Sequence, residues 1–363
     1  MRLYLLLLCT LLCITVYAQP RIDTDSVISA AKKHVSVWRK IAEIDTSYIE
    51  PQKFNYTVML QSTCGYNFYR MGYNGKYSVS FAPRPSFKIG PYIGWRWVFL
   101  GYALDVNYLN AGKDKQDFNV SLYSNMLGID LFYKKLDGNF LVKSLHYNDK
   151  SYTHTLKNME FDGLNTSVKG FNLYYILNHK HFSYPAAFSQ STIQRRSCGS
   201  ILLGLEYTNQ SLNINWNRLK DLAAKRVPDA GNVDVDSVVT FGSLSYSDYG
   251  MSIGYAYNWV LAKNLLLDAS LSAVLAYKHT KGENEHKAYS LPEFMFSNFN
   301  VNGLGRLGFV WNTMRWYAGT SLVVHAYNYY KDHSYTTNLF GNVNVYMGYN
   351  FGRIFKHKRK KDK

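Results

Sequence analysis

The sequence predicts an all-β chain: a transmembrane antiparallel up-and-down β-barrel of about twelve strands (10–14), with a short N-terminal amphipathic helix. Three observations predict it. The start looks exported, a period-two pattern recurs from Phe54 to Phe351, and the connections between its segments alternate between short and long.

Arg2 leads the apolar run "LYLLLLCTLLCITV", which ends in "VYA" before Gln19. A charged start, a short apolar core and a small residue at the cut read as a secretory signal peptide over residues 1–18. The run is shorter than the ~20 residues a spanning helix needs, and no later segment is long and apolar enough. Neither Cys9 nor Cys13 follows the small residue that a lipoprotein signal wants. After cleavage only Cys64 and Cys198 remain, too few for a disulfide framework. The predicted strand order puts them at opposite rims, so two free thiols are expected. The formal charge is +16, and the tail "KHKRKKDK" carries much of it. Such an excess favours acidic partners. For an exported chain these are outer-membrane lipid headgroups, not nucleic acid.

Residues 19–50 differ from the rest. Val27, Ile28, Ala31, Val35, Trp38, Ile41 and Ala42 fall at helical spacing, with Lys32, Lys33, Arg39 and Lys40 mainly opposite. Asp23 or Asp25 can cap the start. This reads as an amphipathic helix, packed under the main domain or lying on a membrane surface.

The barrel is assigned to residues 51–352, followed by a basic tail, 353–363. In "YGMSIGYAYNWV", Tyr249, Met251, Ile253, Tyr255, Tyr257 and Trp259 alternate with Gly250, Ser252, Gly254, Ala256 and Asn258. A strand points successive side chains to opposite faces, so one face is greasy and the other thin. Similar segments lie near 54–64, 86–94, 98–108, 118–133, 139–147, 168–178, 199–215, 248–260, 264–278, 298–311, 315–329 and 338–352. "FNVSLYSNMLGIDLFY" changes phase midway and hides either a bulge or a turn. Short links fall at 95–97, 134–139, 261–264 and 312–315. Long ones fall at 65–85, 109–117, 148–167, 216–247, 279–297 and 330–337. Short turns on one rim and long loops on the other are typical of outer-membrane barrels. Residues 179–198 break the rule, being twenty long where a short turn belongs.

Trp95, Trp97, Trp259, Trp311 and Trp316 all lie beside predicted short turns, as an interfacial girdle would. The thin face is rich in Gly, Ser, Ala and Asn, which suits the concave inside of a closed sheet. The apolar face then meets lipid, and backbone groups in hydrocarbon must pair, which requires closure. Asp105, Asp130, Glu206, Asp268, Arg306 and His325 sit on the thin face and are candidates to line the lumen. They would border a water-filled pore or clasp one another as a plug.

Catalytic chemistry is not evident. His179 and His181 in "HKH" lack a neighbouring Cys, Asp or Glu, so no metal site is assigned. His325 and Ser321 share a strand, the only hint of a hydrolase. "GLGRLG" has no strand-to-helix context, so no cofactor site is assigned.

The phrases "FAPRPSFKIGPYIGWRWVFLGYALDV", "SLYSNMLGIDLFYKK" and "DTSYIEPQKFNYTVMLQ" resemble a Bacteroidetes family catalogued as domain of unknown function 4421. The resemblance runs from about Asp45 to Phe351. It implies an exported outer-membrane barrel of a Gram-negative cell, and brings no activity or site residue. The basic tail departs from barrels that end on an aromatic strand residue. It is a solvated run, or a contact for peptidoglycan or a periplasmic partner. The expected protein is a monomer, structural or passing small solutes. A lipid hydrolase and a loop-based binding or adhesion scaffold are the alternatives.

Overall fold

The computed structural model describes residues 43–73, 77–95, 98–101, 104–105, 115–147, 150–225, 242–280, 299–331 and 334–353. The chain divides into two units, Met1–Glu43 and Ile44–Lys363. The signal-like run, the helical pattern up to Ala42, Trp97 and the tail beyond Arg353 lie outside the described residues.

In the second unit, β1 (Ile49–Pro51) precedes the long β2 (Phe54–Tyr73). There follow β3 (Tyr77–Pro83), β4 (Ser86–Trp95), β5 (Val98–Gly101), β6 (Leu104–Asp105), β7 (Lys115–Tyr123) and β8 (Leu127–Asp137). Next come β9 (Phe140–Tyr147), β10 (Lys150–Ser151), helix α1 (Thr153–Leu156), β11 (Glu160–Phe161) and β12 (Leu164–Ile176). Helix α2 (Tyr184–Phe188) and β13 (Thr192–Gln194) precede β14 (Cys198–Ile214), and helix α3 (Trp216–Ala224) follows it. The chain ends in β15 (Ser243–Ala262), β16 (Leu265–Thr280), β17 (Phe299–Asn312), β18 (Trp316–Lys331) and β19 (Ser334–Arg353).

The described pairings are antiparallel. They run β7-β8-β12-β14-β15-β16-β17-β18-β19-β2-β4, with β5 and β6 beyond β4. The last strand pairs with the first long one, Tyr349 opposite Val58. The sheet curls enough for opposite walls to touch. Thr166 on β12 donates to Tyr69 on β2 at 3.1 Å, and Asn338 on β19 donates to Gln210 on β14 at 3.2 Å.

Several sequence expectations change. Segment 118–133 holds a turn: Ser124 N donates to Leu127 O at 2.8 Å, and Leu127 N donates to Ser124 Oγ at 2.9 Å. The expected stave 139–147 is β9, whose described partners are β3, β10 and β11. The turn at 134–139 therefore sits at the long-loop rim. There Gly138 (φ 69°) and Asn139 (φ 58°) take the left-handed conformations of a tight reversal. Most of the expected loop 330–337 is strand, with Lys331 opposite Ser334. Loop 65–85 is mostly strand, since β2 continues to Tyr73. Cys64 thus lies mid-strand, not at a rim, and both it and Cys198 are free.

The long strands exceed the ~9–11 residues that a bilayer needs, and the excess builds a core at the long-loop rim. Val79 and Phe81 of β3, Phe140 and Val142 of β9, Leu156, Phe161, and Leu219 of α3 are all buried there. β9 pairs with β3 at this rim, and the core takes its apolar side chains.

Candidate functional site

Strand phase puts Asp130, Glu206, Asp268, Arg306 and His325 on the concave face, and all five are buried. Arg306 on β17 forms an ion pair with Asp130 on β8, across the curl of the sheet. Ser121 Oγ also donates to Asp130, at 2.6 Å. The Arg306 guanidinium lies over the rings of Tyr174 (4.9 Å) and Tyr184 (5.8 Å). Asp268 faces the same interior from β16, where Ser270 is opposite Arg306. Glu206 is one step away, since Asn172 lies opposite both Glu206 and Asp130. His325 lies in the neighbouring layer, opposite Leu304 and within the field of Arg306, its ring stacked on Phe340 at 4.9 Å with Phe132 at 5.3 Å. Asp105 is separate, 3.7 Å from Lys115. The structure therefore joins Asp130 to Arg306, puts Asp268, Glu206 and His325 near them, and leaves Asp105 elsewhere.

Sequence reading missed five charged groups here. Asp117 is bridged by Lys88 (3.1 Å) and Lys134 (3.9 Å). Asn302 donates to Asp248 at 3.4 Å, and Lys278 donates to the Tyr330 carbonyl at 2.8 Å. Lys134, Asp248 and Lys278 share strand phase with Asp130, Gly250 and Asp268, and that signal could have found them.

Twenty residues stand where a short turn was expected because they fold back onto the concave face as a plug. Phe182, Tyr184, Ala186 and Ala187 are buried. Asn258 Nδ2 donates to Ser183 O (3.0 Å) and to Gln194 Oε1 (3.1 Å). Gln190 Nε2 donates to the Tyr346 hydroxyl at 2.7 Å. Gly308 permits this approach, since a Cβ there would lie 3.3 Å from Ala187 Cβ. At the plug's edge, a gap lined by Thr57, Gln190, Tyr317 and Asn350 measures about 20 Å³, room for one or two waters.

The plug is clasped from below by the segment that leads into β2. β1 pairs with β13, Ile49 opposite Gln194. Arg195 Nε donates to Glu50 Oε2 at 2.7 Å, and Lys53 also pairs with Glu50. Burial alone would raise the Glu50 carboxyl, but hydrogen bonds and charge from Lys53 and Arg195 hold it below its usual value. The two histidines of "HKH" serve here separately. His181 lies 3.5 Å from Asp45, while His179 Nδ1 lies 3.3 Å from the Ile176 carbonyl. Among the described residues, no three His, Cys, Asp or Glu side chains are grouped to hold a metal. Ser321 accepts from Asn344 Nδ2 at 3.2 Å.

The convex face is apolar and bare. Tyr249, Met251, Ile253 and Tyr255 are exposed, Met251 by 72%, while Ala256 and Asn258 are fully buried. Leu203, Leu205, Leu271, Leu275, Val301, Leu307, Val345, Met347, Leu60 and Ile93 extend this exposed surface over neighbouring strands. Trp95, Trp259, Trp311 and Trp316 are exposed near the short turns. A second aromatic row, which the sequence reading missed, runs across five strands near the other rim. Phe171, Tyr207, Tyr249, Tyr277 and Phe299 are successive cross-strand partners.

Among solved structures, the chain is similar to the outer membrane protease OmpT from Escherichia coli. Identity is 9% and the TM-score 0.33, covering 84% of this chain and 98% of that one. The translocator domain of the autotransporter NalP from Neisseria meningitidis gives 10% identity and a TM-score of 0.29, covering 90% and 97%. The Pseudomonas putida toluene transporter TodX gives 10% and 0.20, covering 83% and 91%. These scores are too low to transfer any property. No curated protein matches the sequence. The family model described as Domain of unknown function (DUF4421) matches residues 43–351. The chain belongs to that family.

Proposed function

We propose that the chain is a plugged outer-membrane β-barrel of a Gram-negative, Bacteroidetes-like cell, serving as a monomeric scaffold embedded in lipid. The observation that carries this reading is the bare apolar convex face. A patch far larger than soluble monomers expose needs a non-aqueous partner, and lipid fits an alternating sheet whose polar face is sheltered. Twelve staves account for it: β2, β4, β5 continued by β6, β7, β8, β12, and β14 to β19. Closure falls between β6 and β7, where the Lys115–Asp105 and Lys88–Asp117 pairs lie. Residues 1–18 are the signal peptide, 19–50 a periplasmic segment and 353–363 a basic periplasmic tail.

The aromatic rows support the assignment by their spacing. Tyr249 and Trp259 lie on one strand, ten residues apart, which is ~34 Å of path at about 3.4 Å per residue. At a tilt near 45° this becomes about 24 Å, the height of an outer-membrane apolar band. The plug and the Arg306–Asp130 crossing favour a sealed scaffold over a passive pore. Purified protein in a planar bilayer is expected to stay silent. Steady conductance steps would refute the sealed reading, and a mature chain soluble and monomeric without detergent would refute the membrane reading.

A further inference from the structure

We propose that the plug and the β15–β16 wall bind a monovalent alkali cation, with Asp268 as its charged ligand. Five oxygens belong to neighbouring inward positions there: both carboxylate oxygens of Asp268, Asn258 Oδ1, Ser270 Oγ and the Tyr184 hydroxyl. All are buried; the Tyr184 hydroxyl and Ser270 Oγ lie within hydrogen-bonding reach of one another, while both Asp268 oxygens and Asn258 Oδ1 have no donor among the described residues. Their neighbourhood follows from register. Asn258 is opposite Asp268 on the neighbouring strand, and Ser270 is two residues further along the same face. Tyr184 reaches down from α2, its hydroxyl beside Ser270 and within the field of Asp268.

The Asn258 amide cannot simply turn to answer the carboxylate. Its Nδ2 donates to Ser183 O, a carbonyl that only accepts, and to Gln194 Oε1. Gln194 is itself held, because its Nε2 donates to the carbonyls of His181 (2.6 Å) and Arg196 (3.0 Å) and its Oε1 accepts from Ser183 N (3.0 Å). The Asn258 oxygen is thereby left on the remaining side of the amide.

Charge and donor type choose the ligand. In this layer Asp130 and Asp268 face one cation, Arg306, whose guanidinium is engaged by Asp130. An ionised Asp268 would leave one negative charge over in a buried setting, which is costly unless compensated. An all-oxygen set without thiolate or imidazole suits a hard cation, and a single unmatched charge suits a monovalent one. Tyr184 belongs to the plug and Asp268 to the wall, so the ion ties the two together.

The test compares thermal unfolding midpoints of the purified full chain in detergent, with sodium chloride or N-methyl-D-glucamine chloride at equal ionic strength. Sodium is expected to raise the midpoint by a few degrees, saturably. Asp268→Asn should lose that increment, and Ser270→Ala should need more sodium to reach it. Thallium(I), soaked into crystals as a sodium mimic, should give an anomalous peak beside Asp268. Equal wild-type midpoints in the two salts would overturn the proposal. So would a full sodium increment in Asp268→Asn, since the oxygens would then hold only water or a shared proton. If Asp268→Asn does not fold, the wild-type comparison and Ser270→Ala decide. Conductance measures the sealed reading separately.

Discussion

Arg306 is held through its charge and its plane: Asp130 pairs with it, and two tyrosine rings lie against the guanidinium. Removing one partner of a buried pair typically costs about 3–5 kcal/mol, because the other charge is left uncompensated. Arg306→Met is therefore expected to lower unfolding stability in detergent by that order. Combining it with Asp130→Asn should recover much of the loss, and a urea titration of all three variants would measure the coupling. Gly128 is a second sensitive point. Tyr174 is its cross-strand partner and lays its ring over the glycine, where a Cβ would stand. Gly128→Leu should displace Tyr174 from beneath Arg306 and cost roughly 1–3 kcal/mol by overpacking, read in the same titration. Strand phase made Asp130 and Arg306 legible as inward residues. That they meet was not legible, since four strands separate them in the sheet and register between distant strands leaves no local trace.

Among the elements, the plug shows how an exception in a pattern marks structure. The link 179–198 broke the alternation of short and long connections. Its folding back needed Gly308 to admit Ala187, and Asn258 and Tyr346 to answer its polar groups. Gly308→Leu should loosen the plug, seen as faster hydrogen exchange over residues 182–194 with the long strands still protected. The clasp makes a complementary prediction. Arg195→Glu should raise exchange in β13, and the charge swap with Glu50→Arg should restore protection. Glu50 titrates below its usual value in the folded chain, so its contribution is present above the ordinary carboxylate range. It is lost as pH falls through the depressed folded value. Protection of β13 should therefore persist at mildly acidic pH and fail only below it. β9 shows the opposite case. Its apolar alternation was read correctly, but the same pattern serves a protein core as well as lipid, and only pairing with β3 separates the two.

For the whole molecule, the distance between the two aromatic rows sets the membrane that suits it. Folding yield in phosphatidylcholine bilayers of graded chain length should peak where the hydrocarbon is about 25 Å thick. It should fall off in thicker bilayers, scored by heat-modifiable mobility on a gel. A flat yield across thicknesses would mean that the rows do not sit at the interfaces. The tryptophan row was legible because it coincides with short turns. The second row was not, since phenylalanines and tyrosines fill strands for many reasons and only cross-strand register aligns these five.

The sequence alone determined that one face of each long strand is apolar and the other small and polar, because side-chain direction is a local property with a period of two. It also determined where several chain reversals fall and that Asp130, Glu206, Asp268, Arg306 and His325 share the inward phase. Tertiary structure alone decided which inward charges meet, that a connecting segment fills one end, and that β9 serves a rim core. Those outcomes depend on register between strands remote in sequence and on packing between their side chains, and neither is written in any single strand.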